Sequence, residues 1–258
     1  PFLDKYSKSS RSPAVTKSGT IYFPLWLSYA AGVLDREGHE LKLIDAPAKG
    51  YDDNLVLKLI KDFNPEMIVI DTSTASINSD LRFTKKVKEV MPEIKTVLVG
   101  THVTACYDEI IPQELYVDII CRHEYDYTLP VIAEKLHQPD QYSTILGIVY
   151  NDNGALKVNQ DRPFIENLDD LPFVSEVYKK YLDNHDYFYA HVNYPTLSIF
   201  SSRGCPSRCF YCMYSQVMFG KQYRKRSPQS LYDECVYITN NFSDVNEILI
   251  DDDNFTVD

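Results

Sequence analysis

The chain has 258 residues, a formal net charge of −11, 44% hydrophobic and 24% charged residues. That length and balance suit a globular protein of one or two domains with a sizeable core. They exclude a disulfide scaffold, since six cysteines are too few, argue against nucleic acid as a partner, and contain no apolar run near the ~20 residues of a membrane span.

The first 19 residues, "PFLDKYSKSSRSPAVTKSG", carry basic groups but no apolar segment, so they do not read as a signal peptide. "YFPLWLSYAAGVLDREGHE" spaces Leu25, Leu27, Tyr29, Ala30, Val33 and Leu34 as a helix that stops at Gly38. "ELKLIDA" alternates and reads as a strand before Pro47. "YDDNLVLKLIKDFNP" is a helix opened by acidic residues and closed before Pro65. Then come the strand "EMIVIDTS", the helix "INSDLRFTKKVKEVMP", the strands "KTVLVGTH" and "YVDIICRHE", and the helix "DYTLPVIAEKLH". Continuous apolar runs of this kind suit parallel strands covered on both faces.

The pattern predicts an α/β fold with a doubly wound parallel sheet. The amino-terminal block lacks the first strand such a sheet requires, so the chain is expected to begin just after it. Ligands of these sheets lie at the carboxyl ends of the strands. Here those ends carry Thr72, Ser73 and Thr74, then Gly100, Thr101 and His102, then "RHEYD" from Arg122. Small residues and a glycine permit close approach to a ligand; ordinary turns of an open sheet would look the same.

"TILGIVYNDNGALKVNQDR" reads as a hairpin turning at Asp152-Asn153-Gly154. The stretch from Pro163 to Pro195 lacks clean periodicity and reads as a connector, helical around Ser175 to Leu182. "TLSIFSS" is a strand running straight into "RGCPSRCFYC", where Cys205, Cys209 and Cys212 follow C-x3-C-x2-C spacing. "SPQSLYDECVYITNNF" is a helix with Ser227 as N-cap and Pro228 at its first position. "NEILIDDDNF" is the next strand with its exit. The expected division is 1–140, 141–195 and 196–258, with the last part incomplete.

Three thiols in one loop suggest a metal in a reducing compartment, the cytoplasm. Structural zinc wants a fourth ligand, for which Cys235, His185 or His191 could serve. A 4Fe–4S cluster on three thiolates would leave one iron open to a ligand. Arg203 and Arg208 add positive charge beside the thiolates. The basic run "KQYRKRSP", Lys221 to Pro228, reads either as solvated surface or as a cationic wall beside a ligand.

"RGCPSRCFYC", with Tyr211 before the third cysteine, a strand before it and a helix after it, resembles the signature of radical S-adenosylmethionine enzymes. The blocks "FPLWLSYAAGVLDREGHELKLIDA", "VLVGTHVTACYDEII", "VDIICRHEYDYTLPVIAEKL" and "ENLDDLPF" resemble, in the same order, the branch with an amino-terminal cobalamin-binding domain. The resemblance runs from about Ile21 to the end. It implies a flavodoxin-like (Rossmann-like) sheet followed by the first βα units of a partial TIM barrel.

It further implies that Cys205, Cys209 and Cys212 hold a 4Fe–4S cluster, and that S-adenosylmethionine binds the fourth iron with Tyr211, Asp252 and Asp253 near it. Cleavage to a 5′-deoxyadenosyl radical would follow, with methyl transfer or a related radical transformation of a small molecule. Cobalamin would lie against Thr72, Ser73, Thr74, Gly100, Thr101 and His102. The electron donor would be a flavodoxin or ferredoxin. The sequence departs from the branch where it has no D-x-H-x-x-G histidine, Val99-Gly100 in place of Gly-Gly, and "RHEYD" in place of Gly-Glu-Gly-Glu. Two alternatives stand beside this reading: a non-catalytic zinc module, and a fragment without turnover of its own.

Overall fold

The structure is a computed structural model that describes residues 19–111, 116–152 and 154–258. Pro1 and Asn153 of the expected turn lie outside the described residues. In chain order the helices are α1 (Leu25–Arg36), α2 (Ala46–Lys49), α3 (Asp53–Phe63), α4 (Ile77–Val90), α5 (Thr101–Ala105), α6 (Tyr107–Ile110), α7 (Thr128–Glu134), α8 (Val174–Tyr181) and α9 (Pro228–Asn241). The strands are β1 (Met67–Thr72), β2 (Lys95–Gly100), β3 (Ile119–Cys121), β4 (Ile148–Asp152), β5 (Ala155–Val158), β6 (Thr196–Ile199), β7 (Ser202–Arg203), β8 (Arg224–Lys225) and β9 (Glu247–Ile250). Two compact units emerge: Tyr51–Pro163, and, among the described residues, 19–50 together with Phe164–Asp258.

The first unit is a five-stranded sheet in the order β1-β2-β3-β4-β5. β1 to β3 run parallel, with Met67 opposite Lys95 and Val97 opposite Ile119. β4 and β5 add an antiparallel hairpin, with Ile119 opposite Tyr150 and Val149 opposite Val158. Parallel strands covered on both faces must be apolar throughout. Val97, Leu98, Val99, Ile119 and Ile120 accordingly have no exposed surface. Leu98, Ile120 and Val149 pack with Ile77, Val103, Ile110, Ile111 and Val117. At α3, the Asp52 carboxylate accepts from the Leu55 amide at 2.8 Å, and Asn64 ends the helix in a left-handed conformation.

One expected strand is absent. "ELKLIDA" forms no ladder; its end instead leads into α2, which Asp45 caps by accepting from the Ala48 amide at 3.2 Å. In a doubly wound sheet this strand pairs only with the one before it. No strand precedes it among the described residues, and an extended segment without a partner leaves its backbone groups to water.

The second unit holds a strand–helix–strand motif. β6 and β9 pair in parallel, from Thr196 opposite Glu247 to Ile199 opposite Ile250, and α9 connects toward β9. α9 begins as the sequence indicates: Ser227 Oγ accepts from the Ser230 amide at 3.1 Å, with Pro228 in the first turn. α1 packs on α8, and Gly32 makes that possible. A Cβ there would lie 2.7 Å from Pro172 Cγ and 2.8 Å from Val177 Cγ2. The connector is no loose linker. Its Tyr178, Tyr187 and Tyr189 are each 1% exposed, and Phe23 stacks on Tyr178 and Tyr187 at 4.3 and 3.9 Å.

Candidate metal centre and cofactor edge

The cysteine loop hangs from a narrow neck. β7 and β8 close it, with Ser202 opposite Lys225 and Arg203 opposite Arg224. The Arg226 amide donates to the Ser201 carbonyl at 2.8 Å, and the Cys205 amide donates to the Gly220 carbonyl at 3.4 Å. Gly204 sits at φ +83, and a Cβ there would lie 2.3 Å from the Gln222 carbonyl oxygen. Only glycine combines that conformation with that closeness.

Beyond the neck the thiols lie at the surface side of the unit. Cys205 and Cys212 are half-buried and Cys209 is exposed, all three as free thiols. The Cys212 amide donates to the Cys209 carbonyl at 3.1 Å, and a π-helical turn over Tyr214–Met218 follows. Tyr211 is 78% exposed; its hydrogen bond to Cys209 pushes its hydroxyl pKa up. Among the described residues no three His, Cys, Asp or Glu side chains converge on one point that would hold a metal ion. The donor set still fits an iron–sulfur cluster. It is thiolate-rich and lies on one short loop, and three thiolates are one fewer than the four that such a cluster usually takes. Cys235, the zinc alternative's fourth ligand, lies on α9, and burial pushes its thiol up, followed by the charge of Glu234. His185 is engaged with Asp183 at 2.9 Å and Asp244 at 2.8 Å.

The acids after β9 tie the root of the loop. Asp252 is 7% exposed. Its Oδ1 accepts from the Ser201 and Ser202 amides at 2.7 and 3.0 Å. Its Oδ2 accepts from the two hydroxyls at 2.5 and 2.8 Å. Both oxygens are therefore spent on the turn that leads into the cysteines. Asp253 follows at a half-buried position.

The arginines also lie differently from a cationic surface. Arg203 is 1% exposed, with Phe200, Tyr29, Phe219 and Trp26 rings 4.7 to 5.6 Å from its guanidinium. Aromatic faces attract a cation, which lets this charge be buried under the loop. In the basic run, Arg224 and Arg226 are 5% and 6% exposed. Arg224 donates to the Ile165 and Phe219 carbonyls at 2.7 and 2.8 Å. Neither solvated surface nor a ligand wall describes these two residues. They are internal braces, because the run crosses the neck, where the flanking backbone offers carbonyls.

The second candidate region is the carboxyl edge of β1 to β3. Thr72 and Ser73 are buried and turn inward. The Thr72 hydroxyl donates to the Val99 carbonyl at 2.7 Å, and Ser73 Oγ pairs with Ser76 Oγ, which donates to Asp80 at 2.6 Å. Thr74 is exposed and lies 3.1 Å from His102 Nδ1. Thr101 and His102 are half-buried beside it. Burial pulls the His102 pKa below its usual value, against the charges of Glu109 and Asp80. The expected set thus divides: Thr74, Gly100, Thr101 and His102 form the edge, and Thr72 and Ser73 support it.

Gly100 is the tightest point of that edge. Its φ is 105 and ψ −174, and a Cβ would lie 2.4 Å from the Thr72 carbonyl oxygen and 2.5 Å from Asp71 Oδ1. That backbone region belongs to glycine. Gly100→Ala is expected to cost about 3 kcal/mol, summing backbone strain and overlap. Urea unfolding measures it, and a change below ~1 kcal/mol would contradict the assignment.

An open sheet with a polar strand edge, joined in sequence to a strand–cysteine loop–helix–strand unit, defines a class. The chain resembles the radical S-adenosylmethionine enzymes that carry a cobalamin-binding domain. Residues 11–133 match the family model of the B12 binding domain. An uncharacterized methyltransferase of Pyrococcus horikoshii is 29% identical over 93% of this chain and 50% of its own length. An anaerobic magnesium-protoporphyrin IX monomethyl ester cyclase of Rubrivivax gelatinosus is 28% identical over 82% of this chain and 38% of its own length. The chain thus spans half or less of these relatives.

Among solved structures, the cobalamin-dependent S-adenosylmethionine radical enzyme OxsB superposes with TM-score 0.71 over 92% of this chain and 32% of that one, at 17% identity. The radical S-adenosylmethionine methyltransferase TsrM of Kitasatospora setae gives 0.65 over 91% and 45%, at 14% identity. These likenesses establish the fold. Among the described residues no helix is long and apolar enough to cross a membrane.

Proposed function

We propose that this chain is part of a cobalamin-dependent radical S-adenosylmethionine enzyme of the methyltransferase kind, acting on a small molecule in the cytoplasm. The observation that carries the proposal is the glycine-braced loop with three free thiols at the exit of β6. Cys205, Cys209 and Cys212 would hold a 4Fe–4S cluster whose fourth iron takes S-adenosylmethionine. When bound, that cluster supplies the electron that breaks the sulfonium bond, and a flavodoxin or ferredoxin would supply it in turn.

This chain's own residues do the holding. The Ser202–Arg203 ladder and Gly204 fix the loop's neck, and Asp252 fixes its root. Tyr211, an exposed ring between Cys209 and Cys212, would cover an adenine, with Asp253 near the amino group. We assign residues 1–140 to the cobalamin-binding part, 141–195 to hairpin and connector, and 196–258 to the radical part. Cobalamin would lie at Thr74, Gly100, Thr101 and His102, with Thr72 and Ser73 behind them. Relatives named as methyltransferases support methyl transfer: the Pyrococcus protein, the cytidylyl-2-hydroxyethylphosphonate methyltransferase of Streptomyces wedmorensis and the hopanoid C-3 methylase of Methylococcus capsulatus. The ester cyclases support a second reading, a radical ring closure on the same cofactors.

Titration with hydroxocobalamin tests the cobalamin half of the proposal. The expected result is a saturable spectral change near one cobalamin per chain, lost in Thr101→Trp, which fills the edge. No spectral change in the intact chain would contradict it.

A further inference from the structure

Asn254 lies four residues past the end of β9 and reaches back to the cysteine loop. Its Nδ2 is 3.8 Å from Cys205 Sγ, within hydrogen-bond range of a sulfur acceptor. Thr256 Oγ1 donates to Asn254 Oδ1 at 3.4 Å. That contact occupies the amide's oxygen and leaves its NH2 end for the sulfur. The two segments are held in place independently of this contact. The Asp251 amide donates to the Ile199 carbonyl at 2.8 Å, and Asp252 grips Ser201 and Ser202 with four hydrogen bonds. The donor is therefore set by the β6–β9 pairing, not by the loop itself. Cys205 alone of the three receives an amide held by the strand framework.

We propose that the Asn254 amide is a hydrogen-bond donor to the Cys205 sulfur that sets the reduction potential of the cluster. This rests on the reading of Cys205, Cys209 and Cys212 as cluster ligands. Reduction adds negative charge, part of which lies on the ligand sulfurs. A donor aimed at such a sulfur stabilises the reduced form more than the oxidised one. Asn254 is a positioning and tuning residue; it touches a ligand, not a reacting atom.

The experiment is a mediated redox titration of the anaerobically reconstituted full chain, followed by electron paramagnetic resonance. Iron content is measured first. A chain that takes up no iron overturns the cluster reading and, with it, this inference. With the cluster present, Asn254→Leu is expected to keep the same iron per chain and to move the midpoint to a more negative potential. Asn254→Gln, which restores an amide donor, is expected to return it toward the wild-type value. An unchanged midpoint in Asn254→Leu would overturn the role of Asn254 while leaving the cluster reading intact. Should Asn254→Leu fail to load iron, Asn254→Ala removes the donor without adding bulk or charge. A midpoint in that variant equal to the wild type would overturn the proposal, and a more negative one would support it.

Discussion

Cys209→Ala is expected to reduce the iron held after anaerobic reconstitution from about four per chain to under about one. Only three protein ligands would support the cluster, so losing one leaves two contacts on one face. Cys209 is exposed, and the neck of the loop is closed by backbone pairing that this change does not touch. The fold should therefore persist, which circular dichroism checks. Cys205→Ala and Cys212→Ala should behave alike. Cys121 and Cys235 are the controls. Burial pushes both thiols up, and Cys121 has no exposed surface. Their alanine variants should load iron as the parent does. Metal lost equally in Cys235→Ala would instead point to a four-thiolate site.

The largest expected effect on stability lies in the support of that loop. Arg226 and Glu234 form an ion pair with side chains 4% and 0% exposed. Glu234 Oε1 also accepts from the Ser175 amide at 3.1 Å and its hydroxyl at 2.9 Å. Arg226 reaches the Phe200 carbonyl at 3.2 Å, and the Ser230 carbonyl and hydroxyl at 3.1 and 3.0 Å. One pair thus joins α8, α9 and the exit of β6. Glu234→Ala leaves a buried guanidinium without its counter-charge. The expected cost is about 3–5 kcal/mol, read from denaturant unfolding. Replacing both partners by methionine should cost less than Glu234→Ala alone, because the uncompensated charge is gone. Equal or greater loss in the double variant would mean that the hydrogen bonds, not the charge, carry the effect.

Local signals in the sequence were reliable where the structure uses them locally. Ser227 and Pro228 start α9 as their types require, and the apolar runs of β2 and β3 are the centre of the sheet. The hairpin of β4 and β5 forms and extends that sheet. What failed depends on partners distant in sequence. "ELKLIDA" has an adequate strand pattern, but a strand exists only through its neighbour. The connector looked irregular because its order comes from aromatic contacts such as Phe23 with Tyr178, more than 150 residues apart, which no periodicity records.

The candidate site divides along the same line. The cysteine spacing is a local feature and is legible directly. The basic run was misleading, because charge in a sequence does not say which way a side chain turns. Arg203, Arg224 and Arg226 turn inward, where aromatic faces and carbonyls receive them. Asp252 was expected beside S-adenosylmethionine; its carboxylate is engaged by four donors some 50 residues earlier in the chain. Its role at the root of the loop could be found only once β6 and β9 were paired.

The central claim is that Cys205, Cys209 and Cys212 hold an iron–sulfur cluster with one iron open to S-adenosylmethionine. Metal analysis of the anaerobically reconstituted chain, with spectra recorded before and after S-adenosylmethionine is added to the reduced sample, tests it most directly. The account predicts about four irons per chain, a brown oxygen-sensitive chromophore, and a paramagnetic resonance signal that changes on addition. One zinc per chain, no iron and no response to S-adenosylmethionine would contradict it.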